Sequence, residues 1–151
     1  MCGIVGLISE SNNFKEVDDG LEKIRHRGPD EFIHFELIKK HPNKGSFGKI
    51  AMSRLAIRDT KNGLYPFTYK DLVLIFNGEI YNYNELKDIL KEQGYECKTT
   101  CDAELILPLY EKYGIKAFDM LHGMFAIAIV NRKTEEILLT RDFFGEKPLY
   151  Y

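Results

Sequence analysis

The sequence predicts an α+β protein with mostly antiparallel sheets. Strand-like and helix-like stretches mix without a regular βα alternation. Apolar strands lie next to each other across short polar turns, as in hairpins. Helical spacing of apolar residues is confined to two or three segments.

Taken in order, Ile4 to Ser9 is a short apolar run expected as a buried strand. Phe14 to Arg25 places Val17, Leu21 and Ile24 at helical spacing, and His26-Arg27-Gly28-Pro29-Asp30 ends that helix in a loop. Ile33, Phe35 and Leu37 alternate, so Glu31 to Lys39 is expected as a half-buried strand. Ser46 to Met52 is expected to pair with it across the turn-like His41–Gly45. Leu72 to Phe76 is an unbroken apolar strand, followed by a turn at Asn77-Gly78-Glu79. Asn84 to Gln93 reads as a helix stopped by Gly94. Asp102 is the expected N-cap of a helix over Ala103 to Tyr113, again closed by glycine. Gly123 to Val130 and Glu136 to Arg141 flank the polar turn Asn131 to Glu135. Leu149-Tyr150-Tyr151 reads as the start of one more strand, which suggests a fragment or a domain that continues.

Length and composition narrow the function. With 151 residues the chain is expected to form one domain around a single core. It is 44% hydrophobic and 29% charged, as globular proteins are. A net charge of −2 with mixed signs argues against nucleic acid as partner, since phosphate binding needs a basic surface. The start lacks the pattern of a signal peptide, and no apolar stretch approaches the roughly 20 residues of a membrane span. The cysteines are Cys2, Cys97 and Cys101. This odd, sparse set builds no disulfide framework, so a reducing, cytoplasmic setting is expected. Cys97 and Cys101 lack the companions of a zinc site, so no metal is expected.

Several residues carry possible chemistry. A thiolate is a strong nucleophile, and removal of Met1 would leave the Cys2 α-amine, pKa about 7.7–8.0, beside its own thiol as a base. Taken alone, a chance cysteine on a fraying terminus is the favoured reading. An Asn amide and a glycine N–H at a strand end, Asn77 and Gly78, are the donors an oxyanion hole needs; taken alone, an Asn-Gly turn is favoured. Arg54 offers a fork for an α-carboxylate, while Asp102 and Glu79 suit an α-ammonium; alone, they read as a surface charge and a helix cap. His26 is a possible base for Cys2, without spacing that favours it.

The segments MCGIVG, HRGPD, RLAI, NGEIYN, CDAE, GMFAIAI and RDFFGEKPLYY, in that order, resemble the class II glutamine amidotransferase family, and within it the glutaminase domain of the asparagine synthetase branch. The resemblance runs from residue 2 to residue 151. It implies the N-terminal nucleophile hydrolase fold, a four-layer αββα sandwich of two mostly antiparallel sheets, and leaves open a C-terminus cut short. It also implies roles: Cys2 as nucleophile with its own α-amine as proton shuttle, and Asn77 with the Gly78 N–H as oxyanion donors. Arg54 is expected on the substrate α-carboxylate, Asp102 and Glu79 near its α-ammonium, and the Ile57 backbone at the pocket border. The substrate implied is L-glutamine, hydrolysed to glutamate and ammonia.

The chain departs from the family pattern at several points. Ser53 stands where His commonly precedes Arg-Leu, and Arg58 and Glu146 stand where apolar residues are usual. Gly63-Leu64-Tyr65-Pro66-Phe67 replaces a more usual Gly-x-Gln-Pro-Met, and Cys101 replaces a common Ser. The phosphate loop of the ATP-using synthetase half is absent from these residues. The resemblance therefore places ATP and Mg only in a synthetase domain, reached in cis or in trans, with no cofactor in this chain. Two alternatives stay open at this stage: ammonia supply to another acceptor such as a sugar precursor, and a silent glutamine-binding regulatory domain.

Overall fold

The computed structural model describes residues 2–38, 47–56 and 65–151. Strand β1 spans Gly3–Ser9, helix α1 Lys15–Lys23, strand β2 Glu31–Ile38 and strand β3 Phe47–Arg54. Strands β4 (Phe67–Tyr69) and β5 (Leu72–Ile80) follow, then helices α2 (Tyr83–Glu92) and α3 (Ile106–Tyr113), and strands β6 (Gly123–Asn131) and β7 (Glu136–Arg141). Among the described residues the strands form two antiparallel sheets, ordered β1-β3-β2 and β4-β5-β6-β7.

Period-two alternation sorts the side chains into layers. On β1 and β3, Ile4, Ile50 and Met52 face inward and meet Ile75 of β5 and Ala128 of β6. Val5, Leu7 and Ala51 face outward and pack on Val17 and Leu21 of α1. Beyond the second sheet, Leu74, Phe76, Ile127 and Ile129 pack against Leu86, Leu90, Ile106 and Leu109 of α2 and α3. Helix, sheet, sheet and helices thus stack as the αββα sandwich that the resemblance implies. Leu86 and Leu90 lie one helical turn apart and are 1% and 2% exposed, so each contributes about 1.5–3 kcal/mol of burial to holding α2 on its sheet.

The local reading of the sequence needs correction at four places. Asn77-Gly78-Glu79 is not a turn: β5 runs on to Ile80, because β6 pairs with it throughout, Asn77 opposite Ala126 and Ile80 opposite Gly123. Asp102 is not an N-cap. It opens a 3-10 turn, Asp102–Leu105, ahead of α3, and its carboxylate accepts the Ile80 N–H at 2.7 Å instead. Strand β4 was not foreseen, being only three residues long. Leu149–Tyr151 has no regular structure. The predicted pairing of β2 with β3 is observed, while the turn-like His41–Gly45 lies outside the described residues. No helix among the described residues is long and apolar enough to cross a membrane.

Candidate active site

Six of the seven residues to which the resemblance gives roles line one cavity. Cys2, Arg54, Asn77, Gly78, Glu79 and Asp102 converge there, joined by Leu55, Tyr65, Phe76 and Cys101. Ile57 lies outside the described residues. His26 sits exposed on a 3-10 turn and is not part of the lining.

Cys2 lies just ahead of β1, whose Gly3 pairs with Ser53 of β3. That pairing delivers the thiol to the backbone that follows β3. The Leu55 N–H donates to Cys2 Sγ at 3.5 Å, and the thiol faces the Leu55 carbonyl at 3.8 Å. Burial pushes the Cys2 thiol above its ordinary pKa. The Leu55 N–H and the nearby Arg54 charge pull the other way without cancelling it. A thiol so placed is protonated near neutral pH and needs a base to become a nucleophile.

The HRGPD loop fixes this backbone from behind. A Cβ on Gly28 would stand 2.3 Å from the Arg54 carbonyl carbon and 2.5 Å from the Leu55 nitrogen, so only glycine lets the loop lie flat there. The Asp30 N–H donates to the Arg54 carbonyl at 3.1 Å, and Asp30 Oδ2 accepts the Ala56 N–H at 2.8 Å. These contacts clamp the strand end on both sides of Leu55.

Arg54 is 5% exposed, and its Nη1 donates to Glu31 Oε2 at 3.0 Å, with Glu31 opposite it in the β2–β3 register. One acid holds the guanidinium from the side, and its remaining donors leave a fork for a second carboxylate. The Arg54 Cζ also stands 5.6 Å from the centre of the Tyr65 ring.

Asn77 and Gly78 come from β5. Asn77 is 8% exposed, and its Oδ1 is a buried acceptor with no hydrogen-bond partner among the described residues. Leaving such an atom unmade costs roughly 1–3 kcal/mol, so its placement in the cavity wall points to a ligand donor. Gly78 allows β6 to close in: a Cβ there would stand 2.1 Å from the Met124 carbonyl oxygen. Asp102 is 3% exposed, and the Cys101 thiol faces its Oδ1 at 3.8 Å. Burial drives the Cys101 thiol up to about 12, so it stays protonated. The loop that carries Cys101 and Asp102 is shaped by Glu104, which accepts the Lys98 and Thr99 N–H groups, each at 2.7 Å.

Sequence reasoning did not assign Tyr65, Cys101, Leu55 and Phe76 to the site. Tyr65 and Cys101 were visible as departures from the family pattern. Leu55 acts through its backbone and Phe76 as an apolar wall, and neither leaves a residue-type signal.

Set together in one cavity lining, a thiol, an Asn side-chain amide, a glycine backbone, a buried guanidinium and a buried carboxylate suit acyl transfer from a zwitterionic amide substrate. A family model described as a glutamine amidotransferase domain matches residues 1–151. Asparagine synthetase [glutamine-hydrolyzing] 1 of Bacillus subtilis is 39% identical over the whole chain, which covers 24% of that protein. Asparagine synthetase [glutamine-hydrolyzing] 2 of the same organism is 41% identical, with 20% of it covered. The asparagine synthetase of Gallus gallus is 36% identical over 99% of this chain and is covered to 26%. The chain thus spans about a quarter of the length of these curated relatives. Among solved structures, an allosteric regulatory enzyme of purine biosynthesis superposes with a TM-score of 0.74 at 21% identity, covering 94% of this chain and 37% of that one. The glutamine phosphoribosylpyrophosphate amidotransferase of B. subtilis gives 0.70 at 21% identity, covering 92% and 37%. Both likenesses concern the fold.

Proposed function

We propose, from the premise that this chain belongs to the glutamine amidotransferase domain family, that it hydrolyses L-glutamine to glutamate and ammonia with Cys2 as a mature N-terminal nucleophile. The observation that supports this most is the convergence of Cys2, Arg54, Asn77, Gly78 and Asp102 on one cavity.

On this reading Arg54 takes the α-carboxylate of glutamine, and Asp102 and Glu79 take its α-ammonium. This fixes the side-chain amide before the Cys2 sulfur. The α-amine of Cys2, freed by loss of Met1, accepts the thiol proton as sulfur attacks the amide carbon. The Asn77 amide and the Gly78 N–H stabilise the tetrahedral oxyanion; one such donor is worth about 10²–10³ in rate. The proton held by the amine passes to the departing nitrogen, which leaves as ammonia. Water then attacks the thioester carbonyl, releases glutamate and restores the thiol.

The ammonia goes, in the same proposal, to an asparagine-synthetase-type active site in cis or in trans, as the named relatives suggest. ATP and Mg would be handled there, not by this chain. The test is glutamate release from L-glutamine by protein confirmed by mass to lack Met1, beside Cys2→Ala. Release by the first and none by the second is expected. Equal release by both would overturn the assignment of Cys2, and none by either would overturn the hydrolysis itself.

A further inference from the structure

The candidate cavity has a volume of about 30 Å³. That is room for a water molecule or two, whereas a pocket for a small organic ligand measures roughly 300 Å³ or more. Glutamine does not fit while the walls stand as they do. Among the residues that line it is Tyr65. Tyr65 packs against both the core between the sheets and the core on the helix side, so it bridges the two. Its ring centre lies 5.6 Å from the Arg54 Cζ, and Phe67 braces it edge-on at 5.0 Å. The phenol is the buried end: burial holds its pKa well above the ordinary tyrosine value. Cys101, Cys2 and Asp102 act on it in the same direction. Tyr65 lines the cavity, and its side chain hydrogen-bonds the Cys101 thiol there, which places the hydroxyl inside the site.

We propose that Tyr65 is a self-occupying plug: in the free protein its ring covers the Arg54 guanidinium where a ligand carboxylate would bind, and the substrate must displace it. This rests on the glutamine reading for the identity of the ligand, but not for the plug itself. A guanidinium held under an aromatic face is attracted to it, and an incoming carboxylate competes with that contact. A protein that must first open binds with an affinity reduced by the open fraction. A contact of this kind corresponds to a reduction of roughly 2–30-fold.

Two readouts on protein confirmed by mass to lack Met1 test this. The first is the rate at which iodoacetamide, a small uncharged reagent, alkylates Cys2, followed by mass spectrometry of the Cys2 peptide over a pH series, so that a change in thiol pKa is read apart from a change in access. The second is the split between KM and kcat for L-glutamine. Tyr65→Ala and Tyr65→Gln are expected to speed alkylation and to lower KM by roughly 2–30-fold with little change in kcat. Tyr65→Phe keeps the ring and is expected to behave as wild type. Circular dichroism reports whether Tyr65→Ala folds; Tyr65→Gln carries the test if it does not. Alkylation unchanged or slower in the folded variants overturns the plug, as does a KM that rises in them, which would make Tyr65 a contact the substrate uses. Faster alkylation with no glutamate from any form keeps the plug and sinks the glutamine reading. Normal hydrolysis with unchanged alkylation and KM does the reverse.

Discussion

Gly78→Ala separates the placement of the proposed oxyanion donor from its chemistry. Alanine keeps the backbone N–H, so no donor is deleted. Its Cβ, however, would arrive 2.1 Å from the Met124 carbonyl oxygen, against a closest tolerable approach of 3.0 Å. The obstacle is backbone in a paired strand, not the end of a flexible side chain. β5 and β6 must therefore part by about an ångström at the Gly78–Phe125 pair. Overpacking of this kind costs about 1–3 kcal/mol, or roughly 2–12 °C in Tm for a chain of this size. A donor serves an oxyanion only within about 2.7–3.1 Å, and a misplacement of about 1 Å costs on the order of 10²-fold in rate. Glutamate release at saturating L-glutamine should thus fall about 10²-fold, with KM changed much less, since Arg54 and Asp102 stay in place. Thermal melts on the same preparation show how much of the loss is unfolding. A variant with wild-type kcat and unchanged Tm would refute the reasoning at its first step, the backbone clash.

Arg54→Lys should raise KM for L-glutamine about 10–100-fold and spare kcat, because a point charge cannot fork to Glu31 and to a substrate carboxylate together; steady-state kinetics decide it. Asp142→Asn should cost about 1.5–3 kcal/mol at neutral pH, measured by urea unfolding. The Asp142 carboxylate accepts N–H groups from Glu146 at 2.8 Å, Lys147 at 2.9 Å and Phe125 at 3.2 Å. Burial alone would raise its pKa, but these hydrogen bonds outweigh it and hold the group below its ordinary value. Its contribution is therefore complete above the unfolded-state value near ~3.9 and is lost as pH falls through the lower folded-state value. The gap between wild type and Asp142→Asn should close over that acid range.

What was legible in the sequence follows the reach of each signal. β1, β5, β6 and α2 announce themselves through apolar runs and helical spacing, and the structure places them within a few residues of where they were expected. The order β1-β3-β2 was not readable, since pairing Gly3 with Ser53 is a non-local event that no window of sequence contains. Asn77-Gly78 shows the opposite failure: a strong local turn signal is overridden by a partner strand some fifty residues away. Asp102 fails in the same manner, its carboxylate bonded to Ile80 rather than to the helix it precedes. The site was legible where chemistry depends on residue type, as with Cys2, Arg54 and Asn77. It was opaque where the backbone acts, as at Leu55.

The thiol precedes β1 and the guanidinium ends β3, both in one sheet, while Asn77 and Gly78 ride on the other. The cysteines are free, so no disulfide among the described residues fixes the gap between them. Facing sheets stand roughly 10 Å apart, and here the spacing rests on Ile50, Met52, Ile75 and Ala128. These four behave as shims between two plates. Widening one, above all Ala128, would jack the plates apart and detune the chemistry without touching any group that performs it. The span between attacking atom and oxyanion donors is thus written into the thickness of an oily layer, and drift in that layer is a hidden route by which activity can be lost or regained.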